Sequence, residues 1–175
     1  MIITISGTPG SGKTAVARIL AKKMGYELIE LNDFIDEHKL WSGKENGSKL
    51  VDVKKLKKAA RKTLQKGGLI VEGHLSHFLM ADFCIVLRCD PLVLERRLKK
   101  KRWPVRKVKE NVEAELIDVI LAEALENKNI KKLIELDTTN LSPEKSAEKI
   151  IRLIKKGRPH RENVRWLKKY EKHLK

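Results

Sequence analysis

The most constraining feature of this chain is a glycine-rich octet near its N-terminus, Gly-Thr-Pro-Gly-Ser-Gly-Lys-Thr at residues 7–14. It follows a mostly apolar run at residues 2–5 and precedes apolar residues spaced as on a helix, which predicts a buried strand, a loop and a helix in that order. Glycines let such a loop curl until its backbone N–H groups face phosphate oxygens, and the positive end of the helix faces the same anion. The octet therefore predicts a nucleotide-binding phosphate loop.

The side chains expected to act on the phosphates come from this loop and from a later strand. Lys13 can reach the β- and γ-phosphates, and the Thr14 hydroxyl can bind Mg²⁺. The apolar run at residues 69–71 ends in Glu72 and, two residues later, His74. A carboxylate at the end of a neighbouring strand suits the water shell of the metal, and a histidine there can orient a water or a transferred group. The other histidines are interpreted as surface or packing residues: His38, His77, His160 and His173.

Strand and helix patterns alternate along the chain. The strand candidates are residues 1–6, 26–31, 69–71, 83–87 and 133–136, and the helix candidates are residues 13–24, 33–40, 52–66, 105–128, 143–156 and a helix that begins at Pro91. Residues 41–48 are predicted to be a loop and the segment after Gly157 to be helical. This alternation predicts an α/β domain with a parallel sheet covered by helices on both faces.

The positive charge of the chain is concentrated in three segments. Lys plus Arg number 39 against 23 for Asp plus Glu, a formal net charge of +16. The excess lies in residues 49–66, 96–109 and 157–175, and residues 96–109 hold nine basic and no acidic side chains. Separate concentrations favour a polyanionic partner over the evenly charged surface of a thermophilic protein. Trp103 and Trp166 lie among these cations and suit stacking on unpaired bases.

The segment 96–109 also offers arginines for the reacting phosphates. A segment that closes over a phosphoryl group can bring cations to the charge that develops there, and the arginine fork binds two phosphate oxygens. The candidates are Arg96, Arg97, Arg102 and Arg106. Trp103 either covers the site or is a plain packing residue.

Several classes of protein are excluded. The two cysteines, Cys84 and Cys89, are too few for a disulfide framework or a four-thiolate zinc site, and they are interpreted as packing residues. No apolar run reaches membrane-spanning length, and the N-terminus lacks the basic start of a secretory signal. A cytoplasmic protein without a membrane partner is therefore expected.

Four short motifs together resemble one family of kinases. They are the octet, Val71-Glu72-Gly73-His74, Leu87-Arg88 at the end of the fourth strand, and Arg102-Trp103. This combination resembles adenylate kinase isoenzyme six, also known as the coilin-interacting nuclear ATPase family, whose archaeal branch acts in small-subunit ribosome assembly. The resemblance covers residues 1–156. It implies a P-loop nucleoside monophosphate kinase fold with a five-stranded parallel sheet and a short lid.

The resemblance also assigns roles to residues. It places the monophosphate-binding segment at about residues 30–53 and the lid at about 102–112, and it leaves residues 157–175 as a basic C-terminal extension. The implied ATP-binding residues are Gly10, Ser11, Gly12, Lys13, Thr14, Ala15 and Arg102, of which Lys13 and Arg102 act in catalysis together with His74. Segment 30–53 contains no arginine, so the candidates for the phosphate of the monophosphate are Lys39, Lys44 and Lys49.

The resemblance implies transfer of a phosphoryl group from Mg·ATP to AMP, together with ATP hydrolysis. It further implies a ribosomal protein of the small-subunit platform as partner and a role in rRNA maturation, with rRNA bound through the basic surface. One alternative is an ATP-driven switch for that ribosomal protein with incidental kinase activity. Another is a small-metabolite kinase, for example for shikimate or gluconate. The Glu72–His74 motif is evidence against this second alternative.

Overall fold

A five-stranded parallel sheet forms the centre of the computed structural model, which describes residues 1–45 and 48–170. Its strands are β1 (Ile2–Gly7), β2 (Glu27–Glu30), β5 (Leu69–Glu72), β6 (Phe83–Arg88) and β7 (Leu133–Asp137). They lie in the order β2-β5-β1-β6-β7, and every neighbouring pair is parallel. Parallel neighbours need crossover connections, which are usually helices. The expected α/β architecture with a five-stranded parallel sheet is therefore confirmed.

Helices cover both faces of the sheet. They are α1 (Lys13–Met24), α2 (Leu31–Glu37), α3 (Val53–Leu64), α4 (Pro91–Lys100), α5 (Val105–Leu116), α6 (Val119–Glu126), α7 (Pro143–Lys156) and α8 (Trp166–Tyr170). Ile3 and Ile5 pack with α1 and α7, whereas Leu69 and Val71 pack with α2 and α3. Successive side chains of a strand point to opposite faces, and all four of these residues are buried. The apolar side chains of these strands thus form the core between two helical layers.

The parallel strands place the predicted site at one edge of the sheet. β1 ends at Gly7 and leads into the phosphate loop, and β5 ends at Glu72, which pairs in register with Ile5. The carboxyl ends of parallel strands share an edge, and ligands of such folds bind in the crevice outside it.

Two local predictions are wrong. The predicted loop at residues 41–48 instead contributes to an antiparallel hairpin of β3 (Trp41–Glu45) and β4 (Ser48–Val51), and residues 46–47 lie outside the described residues. β3 is mostly exposed and lacks the apolar alternation that marks a strand in sequence. The single helix predicted over residues 105–128 is broken between α5 and α6, where Asp118 adopts a left-handed conformation and pairs with Arg88. That break depends on a tertiary contact.

The C-terminal segment packs against the core. In residues 158–170, named here the C-terminal strap, the helix is confined to Trp166–Tyr170, and His160 pairs with β7 at Ile134. The expectation of a largely helical segment is therefore wrong for these residues, and residues 171–175 lie outside the described part. Trp166 is only 6 % exposed, so the interpretation of this side chain as a platform for unpaired bases is also wrong.

Both cysteines are packing residues, as predicted. Cys84 and Cys89 are free thiols, each fully buried, and burial raises the pKa of both to about 12. They are therefore protonated and unreactive at neutral pH. In the described part of the chain, no helix is long and apolar enough to cross a membrane.

Candidate active site

The phosphate loop has the backbone geometry of an anion cradle. Gly10 and Gly12 have φ values of 93° and 96°, which residues other than glycine rarely adopt. The Ser11 N–H donates to the Thr8 carbonyl at 3.0 Å. A Cβ on Gly10 would lie 2.9 Å from Leu94 Cδ1 of α4. Helix α1 begins directly after the loop without a side-chain cap, so its first N–H groups are available to a phosphate.

Lys13 is a buried cation at the start of α1. Its Nζ donates to the Thr8 carbonyl at 3.2 Å, and the residue is 8 % exposed. Burial lowers the pKa of Lys13 to about 8, while the charges of Glu72 and Glu115 raise it. A phosphate bound beside the ammonium group would favour the charged form and raise this pKa again.

Thr14 and Glu72 provide neighbouring oxygen donors. The Thr14 hydroxyl and the Glu72 carboxylate line the same cavity, and Glu72 is 8 % exposed. Burial raises the pKa of Glu72, while Lys13 and Thr14 oppose that shift. A hydroxyl and a carboxylate suit Mg²⁺, which takes its remaining ligands from phosphate oxygens and water. The two residues thus fit the predicted metal position.

His74 lies in the wall of the cavity beside the phosphate loop, next to His77 and Lys13. The residue is exposed at the mouth of the cavity, where partial loss of water around the ring, followed by the charges of Lys13 and His77, lowers its pKa to about 4. The imidazole is therefore neutral at pH 7 and can orient a water molecule by accepting a hydrogen bond from it.

Two cavities meet at Gly10. The central cavity, of about 640 Å³, is lined by Lys13, Thr14, Glu72 and His74 together with residues of the hairpin and of α5 and α6. The flanking cavity, of about 500 Å³, lies on the other side of the loop and is lined by Arg97, Leu141 and Pro143 among others. Volumes of this size are typical of small-molecule sites.

The predicted site residues do not all reach these cavities. Gly10, Lys13, Thr14, Glu72 and His74 line the central cavity, and Gly10, Ser11 and Gly12 line the flanking one. Neither lining includes Arg102 or Ala15, which are both exposed, and Arg102 has a left-handed φ of 57°.

Other cations also line the cavities: Lys49 and Lys107 the central one, and Arg97, Lys100 and Lys101 the flanking one. Arg97 Nη1 lies 3.3 Å from the Gly10 carbonyl oxygen and lines the flanking cavity. Of the three lysines considered for the monophosphate, Lys49 lines the central cavity, and Lys39 and Lys44 line neither. Trp103 lines the central cavity as well.

One histidine that the sequence did not mark belongs to the central cavity. His77 is buried, with Nδ1 at 2.9 Å from Ser6 Oγ and Nε2 at 2.9 Å from Glu123 Oε2. Its packing role agrees with its interpretation, but its place in the cavity wall was not predicted. No local pattern marks this residue, because its partners come from β1 and α6.

We expect ATP affinity to fall as pH rises above about 8, the pKa of Lys13. The bound phosphates favour protonated Lys13, so above this pKa binding must take up a proton, and the dissociation constant rises about 10-fold per pH unit. Calorimetric titration with ATP in EDTA between pH 7 and 9.5 measures this without a metal. The matched control is Lys13→Met, which should bind weakly at every pH. A constant affinity of the unmodified protein over this range would contradict the prediction.

Comparison with known proteins agrees with this fold and site. The family model described as AAA domain matches residues 3–118. A protein of Thermococcus kodakarensis named "Putative adenylate kinase" is 44 % identical over 176 residues, covering 99 % of this chain and 97 % of that protein. A protein of the same name from Methanocaldococcus jannaschii is 36 % identical, with the same coverage of both chains.

Solved structures share the fold at low sequence identity. The YorR protein of Bacillus subtilis in complex with phosphorylated GDP superposes with a TM-score of 0.62 at 18 % identity, covering 89 % of this chain and 96 % of that one. Shikimate kinase from Acinetobacter baumannii in complex with shikimate also has a TM-score of 0.62, at 16 % identity, and covers 89 % and 93 %.

The sheet order, the phosphate loop and these superpositions define a P-loop kinase fold. The chain belongs to the AAA domain family and to the adenylate-kinase-like group formed by its archaeal relatives. Because the alignment to the Thermococcus kodakarensis protein covers 99 % of this chain, the similarity reaches beyond residue 156 into the C-terminal segment.

Proposed function

We propose that this protein transfers the γ-phosphoryl group of Mg·ATP to a nucleoside monophosphate, with AMP as the first candidate. The observation that carries the proposal is the pair of cavities meeting at Gly10. The flanking cavity accommodates the base and ribose of ATP beside Arg97, and the central cavity accommodates the reacting phosphates and the acceptor. The names of the archaeal relatives support the same activity.

The residues around the phosphates act mainly by charge and position. Loop N–H groups and Lys13 stabilise the charge that develops on the β- and γ-phosphate oxygens. Thr14 and Glu72 would hold Mg²⁺, which when bound neutralises part of that charge. Arg102 lies in the segment that resembles the lid, and closure of that segment would bring its guanidinium over the transferred group.

An assay of ADP formation tests the proposed function. Purified protein is incubated with Mg·ATP alone, with added AMP, and with shikimate or gluconate in place of AMP. ADP formation that depends on AMP supports the monophosphate kinase. Formation that depends on shikimate or gluconate would replace it by the metabolite kinase.

Lys49 is the lysine best placed for the acceptor phosphate. It projects from β4 into the central cavity and forms an ion pair with Asp36 of α2. We expect Lys49→Ala to raise the KM for AMP by about 10- to 100-fold, because a hydrogen bond to a charged group contributes about 1.5–3 kcal/mol. ATP hydrolysis without AMP should change little.

Lys44→Ala is the matched control for Lys49→Ala. Lys44 lies on the same hairpin and is exposed, but it is not part of the lining of either cavity. Equal KM values for AMP in the two variants would remove Lys49 from the acceptor site.

ATP hydrolysis belongs to the proposal as a second reaction of the same site. We expect His74→Ala to lower hydrolysis by about 100-fold and AMP-dependent transfer by much less, because AMP brings its own nucleophile whereas water must be oriented. Both rates are measured as ADP release, with and without AMP. Equal losses in the two rates would assign His74 a purely structural role.

We also propose that the cellular role lies in small-subunit ribosome assembly, through a platform ribosomal protein and rRNA. The supporting observation is a row of exposed cations on α3, which are Lys54, Lys55, Lys57, Lys58, Arg61 and Lys62. Neutralising phosphates makes RNA affinity fall with salt, by a slope of roughly 0.7 per contact on single strands. Replacing Lys54, Lys58 and Lys62 by Gln should reduce that slope and leave ATP turnover unchanged.

Deletion of residues 157–175 is a poor test of RNA binding. The sequence predicts that such a deletion leaves ATP turnover nearly intact, but Trp166 is buried against the core.

The alternative function, an ATP-driven switch for the platform ribosomal protein, has its own test. Adding that ribosomal protein should raise AMP-independent ATP hydrolysis, and an unchanged rate would count against it as a partner.

A further inference from the structure

A buried carboxylate lies where the phosphate loop meets the end of β6. Glu115, near the end of α5, is 3 % exposed, and its Oε2 accepts a hydrogen bond from the Thr8 hydroxyl at 2.5 Å. Its Oε1 accepts from Arg88 Nε at 2.8 Å and from the Cys89 backbone N–H at 3.1 Å. Water does not compete for these bonds, so they hold the carboxylate firmly.

Arg88 provides the charge that makes this burial possible. Its guanidinium is 1 % exposed and also donates to Glu135 Oε1 at 3.0 Å and to the Asp118 carboxylate. A buried ion is stable only when it is paired and hydrogen-bonded. Arg88, at the end of strand β6, therefore holds the Glu115 carboxylate in position.

Trp166 of the C-terminal strap also holds Glu115 in position. Its indole Nε1–H donates to Glu115 Oε1 at 3.1 Å, and the side chain is buried. A buried indole N–H needs an acceptor, and here the acceptor is the same carboxylate that holds the Thr8 hydroxyl of the phosphate loop.

The strap is anchored on both sides of Trp166. His160 exchanges backbone hydrogen bonds of 3.0 and 2.9 Å with β7. Beyond Trp166, Lys169 Nζ and Tyr170 Oη donate to Asp90 Oδ2 at 2.6 and 2.7 Å. Asp90 in turn caps α4 by accepting from the Leu92 N–H at 3.0 Å. The strap thus contacts the start of α4, which precedes the lid segment, and the end of α5, whose first turns belong to that segment.

Thr8 connects Glu115 to the catalytic lysine. The Thr8 carbonyl accepts from the Ser11 N–H at 3.0 Å and from Lys13 Nζ at 3.2 Å, while its hydroxyl is held by Glu115. A displacement of Thr8 would therefore move the loop backbone and Lys13 together.

We propose that Glu115 and Trp166 are positioning residues that hold the phosphate loop in its phosphate-binding form, with the C-terminal strap as their support. The proposal rests on the proposed function, because the loop is taken to bind the phosphates of ATP. It gives the strap a part in phosphoryl transfer although none of its described residues lines the two cavities.

Thr8→Val tests the link between the loop and Glu115. It keeps the volume of the side chain and removes the hydroxyl, and it should lower kcat about 10-fold, the lower end of the effect of a hydrogen bond to a charged group. Thr8→Ser restores the hydroxyl and should remain within about threefold of the original kcat. A Thr8→Val protein with unchanged kcat and a lower melting temperature would overturn the proposal.

Trp166→Phe tests the support from the strap. It keeps an aromatic ring and removes the N–H, and it should lower kcat by about 3- to 10-fold while the KM for AMP stays the same. The matched control is Lys168→Ala, at an exposed position of the same short helix, which should have the kcat of the unmodified protein. If both act through Glu115, Thr8→Val combined with Trp166→Phe should lower kcat by less than the product of the single effects. Fully multiplicative effects would overturn the shared role.

A direct binding measurement separates this proposal from the proposed function. A fluorescent ATP analogue is titrated into each variant and into the unmodified protein. If the unmodified protein binds the analogue but forms no ADP from AMP, the proposed kinase function fails. The positioning role of Glu115 and Trp166 is then tested by whether Thr8→Val and Trp166→Phe weaken binding of the analogue. Unchanged binding and unchanged kcat in both variants would overturn positioning alone.

Discussion

Lys13→Ala is expected to lower both AMP-dependent transfer and ATP hydrolysis by about 10²–10³-fold. Loss of a group that stabilises charge developing in a transition state typically costs about 3–4 kcal/mol. Lys13 is the buried cation of the phosphate loop, and its ammonium group donates to the Thr8 carbonyl of that loop. ADP formation with and without AMP measures both losses.

The control for Lys13→Ala is Lys22→Ala, which removes an exposed lysine from the same helix α1. Its turnover should equal that of the unmodified protein. The melting temperature of Lys13→Ala should not fall, because burial of the ammonium group is itself unfavourable and lowers the pKa of Lys13 to about 8. Near-normal turnover of Lys13→Ala would contradict the assignment of the phosphate loop.

Glu72→Gln is expected to lower both reactions by about 10- to 100-fold, the range seen when groups that support a metal's ligands are removed. Glu72 lines the central cavity with Thr14 and Lys13, and under the proposed function both reactions use Mg·ATP. The Mg²⁺ concentration for half-maximal rate should rise by a similar factor. Titration of Mg²⁺ at fixed ATP measures this.

Two further variants sharpen the Glu72 experiment. Glu72→Asp retains the carboxylate on a shorter side chain and should lose less activity than Glu72→Gln. Glu27→Gln removes an exposed carboxylate at the start of the neighbouring strand β2 and should have no effect. Unchanged dependence on Mg²⁺ in Glu72→Gln would show that this carboxylate does not support the metal.

The part of the central cavity that could be predicted consists of residues that belong to local patterns at strand ends. The phosphate loop follows β1 directly, and Glu72 and His74 follow β5, so knowledge of the strands was enough to bring them to one edge of the sheet. The cations could not be assigned in this way. Lys49 and Arg97 reach the cavities and Arg102 does not, although all three lie in segments that the sequence marked.

The sequence by itself determined the order of strands and helices, the phosphate loop and the packing of the apolar strands, since these depend on residue types at short spacing. The tertiary structure decided the hairpin of β3 and β4, the break at Asp118 and the burial of Trp166. It also decided that Glu115 joins Thr8 to Trp166, residues 158 positions apart in the chain. The physical reason is that a buried charge selects its partners by distance in the folded core, whatever their separation in sequence.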